Sequence, residues 1–320
     1  MSIIFAGTPP IAADCLRGLL AAGPEKLGGE ITAVLTRPDA PVGRKRTLTP
    51  SPVAQAAEEA GLPVIKADRV DQEVAGRLRE HSPRLGIVVA YGALLPQHAL
   101  DVPERGWVNL HYSSLPKYRG AAPVQHAILN GEAATAATIF QLEAGMDTGP
   151  VHAAAEHPIE EGVSAGELLQ ALTALGTQML IGLSPQLLAG ASAPSPQRGE
   201  PSFAPKLTRD DAYIDPAAAA EAVMHRINAT VPEPGAWTWL GDQRLKLGPV
   251  RRFHGQLPST AAPGQALSAV AEGEGHVPVL VTGEGGVVLT AVQPAGKRMT
   301  PAADWLRGQQ QTPILGGHHE

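Results

Sequence analysis

Short runs of apolar and β-branched residues at positions 3–6, 31–36, 86–90 and 107–110 alternate with stretches whose apolar positions recur at helical spacing, at 12–22, 52–60 and 70–81. Runs of this kind separated by helix-length segments predict βαβ units. The first part of the chain should therefore be an α/β, Rossmann-like, doubly wound and mostly parallel sheet with helices on both faces. A further strand is expected at 138–142 and a long helix at 165–188, with little charge after Glu167. Residues 190–202 are poor in apolar residues and rich in Pro, Ser and Gly, and mark a linker that runs to 206. Beyond it the pattern changes to one helix, 217–228, and close-spaced strands at 236–240, 243–247, 277–282 and 286–289. Strands this close with Gly-rich turns predict a small antiparallel β-barrel of OB-like type. The expected division is a domain at 1–189, a linker at 190–206 and a second domain at 207–320.

Composition narrows the functional classes. A chain of 320 residues that is 43% hydrophobic can fill two cores, but only 4% is aromatic, so Ala, Val, Leu and Ile build them. The single Cys15 excludes an internal disulfide and a cysteine cluster for zinc, and reads as a small buried residue in a helix. No apolar run reaches the roughly 18 to 20 residues of a membrane span, so no membrane partner is expected. The apolar start reads as a first core strand, and a cytoplasmic protein is the expectation. A formal charge of −6 argues against wholesale coating of nucleic acid, although a local basic patch on an acidic protein can still hold a phosphate backbone.

Candidate chemistry is concentrated around the fourth strand. Asn109 and His111 stand two positions apart, so they share one strand face while Leu110 points to the core. The strand end then runs into Tyr112-Ser113-Ser114-Leu115-Pro116-Lys117-Tyr118-Arg119-Gly120, a loop at the carboxyl edge where open parallel sheets bind ligands. Asp147, in the Gly-flanked loop after the strand at 138–142, could reach His111. Together the three suffice for acyl transfer to an amine. His111 as a cation would polarise a carbonyl, Asn109 would donate to the oxyanion, and Asp147 would favour the imidazolium. Taken singly, His111 could equally be a satisfied structural group and Asp147 a turn former. Arg44, Lys45 and Arg46 lie in a Pro-rich loop at the same sheet edge; such a run suits a phosphate backbone or is ordinary solvated surface. Arg251-Arg252 and Lys297-Arg298 add cations in the second domain. Gly7-Thr8-Pro9-Pro10 lacks the three-glycine fingerprint of a dinucleotide site, which excludes a nicotinamide cofactor, and no metal is expected. His318-His319 is weak evidence for one.

From Asn109 to Gln125 the chain resembles the folate-dependent formyltransferases, marked by Asn-x-His, a Ser-Leu-Leu-Pro-like turn and an Asp-Thr-Gly loop. Tyr118 to Gln125, Phe5 to Pro9, Pro50 to Val53, Val89 to Gly92, Phe203 to Leu207 and Gln293 to Lys297 resemble the branch acting on methionyl-tRNA. The resemblance implies that Asn109, His111 and Asp147 are catalytic and that Ser113, Ser114, Leu115 and Pro116 bound the folate. It implies further that Val89, Ala90, Tyr91 and Gly92 offer backbone to the pterin, and that Arg44, Lys45, Arg46, Lys297 and Arg298 approach the initiator methionyl-tRNA. The donor would be 10-formyltetrahydrofolate and the enzyme a monomer. Tyr112 stands where the family usually has Gly, Ser114 where it has Leu, and Pro216 and Glu233 where it often has Trp. A formyltransferase for amino sugars, a hydrolase releasing formate, and an RNA-binding protein on a degenerate scaffold are the rival readings.

Overall fold

The computed structural model describes residues 1–43 and 45–317, so Arg44 and His318-His319 lie outside the described residues. Packing groups the chain into two compact units, one of residues 1–123, 135–157 and 169–204, the other of 124–134, 158–168 and 205 onward.

The first unit is built on β1 (Ser2–Gly7), β2 (Glu30–Thr36), β5 (Val64–Lys66), β6 (Leu85–Val89), β7 (Trp107–His111), β8 (Ala134–Gln141) and β9 (Val151–Pro158), while β3 (Ala40–Val42) and β4 (Thr47–Thr49) form a separate hairpin. Across the main sheet the order is β5-β2-β1-β6-β7-β8-β9. The pairs from β5 through β7 are parallel and β8 runs antiparallel to β7, which gives a mostly parallel sheet. All five residues of β6 are buried, as expected for a strand covered on both faces. Strand order reverses between β1 and β6, and Gly7, Val89 and His111 end their strands at the same carboxyl edge.

The helices are α1 (Pro10–Leu27), α2 (Pro52–Glu59), α3 (Gln72–Glu80), α4 (Gln97–Leu100), α5 (Pro123–Leu129) and α6 (Ala165–Ala189). The predicted end at residue 22 coincides with a kink in α1, where Gly23 takes φ 81° ahead of Pro24, and the chain then adds another turn. Cys15 is buried in α1, and burial pushes its thiol up to about 12.

Two segments read as loop or linker are more ordered than their composition suggests. The basic loop is the β3–β4 hairpin, turned at Gly43 (φ 72°) and flanked by the ion pairs Lys66–Asp39 at 2.6 Å and Arg37–Asp68 at 2.9 Å. Its three-residue strands are too short to register as a hydrophobic pattern, and five of their six residues are exposed. The supposed linker is stitched to the first unit by backbone bonds. Ser195 exchanges two with Val151, and Arg119 donates to the Ser202 carbonyl at 2.8 Å and accepts from Ala204 at 2.8 Å. Backbone hydrogen bonding needs no apolar side chains, so composition gave no sign of it.

The second unit holds α7 (Ala220–Thr230), β10 (Trp237–Leu240), β11 (Gln243–Leu247), β12 (Val250–Arg252), β13 (Ala266–Ala271), β14 (Gly275–Val281), β15 (Gly286–Leu289), β16 (Ala291–Pro294), β17 (Thr300–Pro301) and α8 (Ala302–Arg307). Two four-stranded antiparallel sheets, β10-β11-β16-β17 and β12-β15-β14-β13, share a core that includes Ile227, Leu245, Leu280 and Val292. Asn228 on α7 clamps β12: its Nδ2 donates to the Val250 carbonyl at 2.8 Å and its Oδ1 accepts from the Val250 N–H at 2.9 Å. At 1% exposure, Asn228→Ala would leave both Val250 groups unpaired. The expected loss is about 2 to 5 kcal/mol, read as a lower urea midpoint at unchanged slope. An unchanged midpoint would remove that clamp from the account.

Candidate active site

β7 projects Asn109 and His111 to one side, while Val108 and Leu110 are buried in the core. Asn109 is half-buried and its Oδ1 is buried with no hydrogen-bond partner among the described residues. Leaving a buried amide oxygen unpaired is unfavourable, so its presence here marks a place made for a ligand.

His111 is 5% exposed, with Phe140 edge-on to its ring. Its Nε2 lies 3.0 Å from the Tyr118 carbonyl oxygen. A carbonyl only accepts, so Nε2 carries the hydrogen, and the neutral ring presents the lone pair of Nδ1. Nδ1 in turn lies 3.8 Å from Asp147 Oδ2. Burial holds the imidazole below its ordinary value, opposed by the Asp147 carboxylate and the Tyr118 carbonyl. Burial therefore favours the neutral ring and the Asp147 carboxylate favours the imidazolium, with Nδ1 the ring nitrogen that faces the carboxylate.

Asp147 is aimed by an unusual backbone, with φ 50°, and by the Gly120 N–H, which donates to its Oδ2 at 2.8 Å. Gly120 has φ 121°, and a Cβ there would sit 2.8 Å from the Ala204 carbonyl oxygen. Tyr118 and Gly120 thus hold the imidazole and the carboxylate respectively from one short loop. Their main-chain roles were invisible in the sequence, because a carbonyl or an N–H carries no side-chain signature.

Asn109, His111, Gly120 and Asp147 line a cavity of about 410 Å³ together with Ala90, Tyr91 and Gly92. Ala90 and Gly92 both have positive φ, at 48° and 89°, so the chain beyond β6 turns sharply at the cavity wall. Leu94 and Met146, among the most exposed apolar side chains, also line it. The other candidates are placed differently. Val89 is fully buried in β6. Ser113, Ser114, Leu115 and Pro116 are not among the lining residues; the Ser113 hydroxyl donates to the Lys117 carbonyl at 2.6 Å, and Ser114 is exposed. Lys45 and Arg46 sit exposed at the turn of the β3–β4 hairpin, and Lys297 and Arg298 in an exposed turn beyond β16. None of these four makes an ion pair among the described residues, whereas Arg251 pairs with Glu274.

Two family models match the chain, Formyl transferase over residues 1–183 and Formyl transferase, C-terminal domain over 206–310. The methionyl-tRNA formyltransferase of Renibacterium salmoninarum is 48% identical over 313 residues, covering 96% of each chain, and that of Acidothermus cellulolyticus is 48% identical over 324 residues, covering 98% of each. The chain belongs to the methionyl-tRNA formyltransferase family. Among solved structures, a methionyl-tRNA formyltransferase from Clostridium thermocellum matches with TM-score 0.58 at 15% identity, covering 92% of this chain and 98% of that one. HypX from Aquifex aeolicus in complex with tetrahydrofolic acid matches with TM-score 0.66 at 18% identity, covering 95% of this chain and 46% of that one. At such identities these two matches speak to the fold alone.

Within this formyltransferase, Tyr112 is 5% exposed and its hydroxyl meets Thr173 Oγ1 of α6 at 2.9 Å. Its bulk is absorbed by helix packing, as alternation along the strand predicts. No helix among the described residues is long and apolar enough to cross a membrane.

Proposed function

We propose that the cavity binds 10-formyltetrahydrofolate and that the enzyme moves its formyl group to the amino group of methionine on initiator methionyl-tRNA, acting as a cytoplasmic monomer. The observation that carries this reading is a single cavity lined by Asn109, whose amide Oδ1 is unpaired and whose Nδ2 is the group able to donate, together with the His111–Asp147 pair. Residues 1–189 would be the catalytic domain, and 207–320, joined through 190–206, an OB-like domain that supports the RNA.

The amine attacks the formyl carbon, forming a C–N bond and an oxyanion that accepts from the Asn109 amide. His111 Nδ1 takes the ammonium proton, and Asp147 stabilises the imidazolium that results. Collapse breaks the bond from carbon to the folate nitrogen, which takes that proton back from Nδ1 and leaves neutral. An oxyanion donor is typically worth about 10² to 10³ in rate and a positioned acid or base about 10² to 10⁴. Ala90, Tyr91 and Gly92 would offer backbone to the pterin, whereas the buried Val89 and the stretch Ser113, Ser114, Leu115 and Pro116, none of which lines the cavity, would support its wall rather than touch the folate.

The donor half of the proposal is tested by calorimetric titration with 5-formyltetrahydrofolate, which cannot transfer its group. Saturable binding at one site is expected; no binding would overturn the folate assignment. For the acceptor half, Arg44, Lys45 and Arg46 would contact the acceptor end, with Lys297 and Arg298 adding phosphate contacts. Lys45→Ala and Arg46→Ala should each weaken tRNA binding and flatten its salt dependence by roughly one phosphate contact. An unchanged slope in both would return the hairpin to ordinary surface and favour a small amine as acceptor.

A further inference from the structure

We propose that Gln197 is a positioning residue for the His111–Asp147 pair, locking the two loops that aim these side chains; the inference rests on the reading of that pair as the reacting centre. Gln197 lies in the segment that composition marks as a linker, yet its half-buried amide is fully engaged. Nε2 donates to the Asp147 carbonyl at 2.7 Å and to the Gly149 carbonyl at 2.8 Å. Oε1 accepts from both Nε and an Nη of Arg119, at 3.2 and 2.7 Å. Two carbonyls require donors and a guanidinium requires an acceptor, so only one orientation of the amide satisfies all four contacts.

The partners explain what this clamp does. Asp147 and Gly149 flank the turn that aims the carboxylate, and Asp147 holds a left-handed φ that non-glycine residues adopt rarely. A conformation of that kind persists when surrounding contacts fix it. Gly149 has no room for a side chain, because a Cβ would overlap the Gln141 carbonyl oxygen, so the turn is confined from its other side as well. Arg119 stands between Tyr118, whose carbonyl holds His111 Nε2, and Gly120, whose N–H holds Asp147 Oδ2. One side chain therefore ties the carboxylate loop to the loop that orients both members of the pair. Asn would be too short to span these partners, and a carboxylate could not donate to two carbonyls.

The test uses the full chain carrying Gln197→Met, which keeps length without hydrogen bonding, and Gln197→Ala. Variants that melt like the parent are compared in kcat, in KM for 10-formyltetrahydrofolate, and in the NMR titration of His111. Among the described residues, Asp147 is the charged side chain within ion-pair distance of that ring, and its carboxylate raises the affinity of the ring for a proton. Its displacement should move the His111 titration to lower pH. A misplacement near 1 Å can lose about 10²-fold in rate, so kcat should fall about tenfold to a hundredfold while KM stays within about threefold. If either variant melts early, both readouts are taken at a temperature well below its transition. An unmoved His111 titration overturns the proposal, whatever happens to kcat. A moved titration with parental kcat upholds the positioning and overturns the catalytic reading of the pair instead.

Discussion

Asn109→Ala and Asp147→Ala should each lower turnover at least about a hundredfold while leaving the protein folded. Asn109 is half-buried, and its Oδ1 has no internal hydrogen bond among the described residues for truncation to break, so removing the amide relieves an unpaired group rather than creating one. Asp147 does hold the Gly120 N–H at 2.8 Å, and its removal frees one main-chain donor at the edge of an open cavity where water can replace it. Stability should therefore change little in either variant, which separates the chemical loss from unfolding. The two deletions act at different moments. Without Asn109 the oxyanion loses a donor; without Asp147 the imidazolium that forms during attack loses its counter-charge in a buried site where burial already disfavours it. Turnover and thermal midpoint, measured on purified variants, check both, and near-parental turnover in either would remove that residue from the mechanism.

Gly120→Ala should disrupt the site although it adds a single methyl group. The residue has φ 121°, where an L side chain is strained, and the added Cβ would press on the backbone oxygen of Ala204 at 2.8 Å. Neither side has a flexible end to yield, because Ala204 is itself bonded to Arg119 and Ala122. Strain of this kind is worth about 1 to 3 kcal/mol, and the loop must shift to relieve it. The shift would carry the Gly120 N–H away from Asp147 and the Tyr118 carbonyl away from His111. The expected outcome is a lower melting temperature together with a loss of turnover of about a hundredfold, without a matching loss of folate binding. Parental turnover would show that the loop can relax without disturbing the pair.

Five of the seven strands of the main sheet were legible because they are apolar runs divided by helix-length segments, and strands 3–6 and 107–110 emerged within a residue or so of β1 and β7, whereas the three-residue β5 and the half-exposed β9 were not read. Asn109 and His111 stood out because two polar residues interrupt such a run with period two, a pattern packing alone does not call for. The β3–β4 hairpin, β12 and β17 were missed because two or three residues are too few to express a period. The main-chain groups of Tyr118 and Gly120, and the order of residues 195–204, were hidden for a different reason. Their work is done by peptide hydrogen bonds, which every residue type except proline can donate and all can accept. Gln197 had one faint sign, an amide in the middle of a Pro, Ser and Gly stretch, but nothing in the chain indicated which carbonyls it meets.

The most direct test of the account is transfer of label from formyl-labelled 10-formyltetrahydrofolate by the purified protein, with initiator methionyl-tRNA, elongator methionyl-tRNA and free methionine as parallel acceptors. The account predicts label on the methionine of the initiator alone. Label released as formate, or accepted by a sugar amine while all three methionine acceptors stay unlabelled, would contradict it.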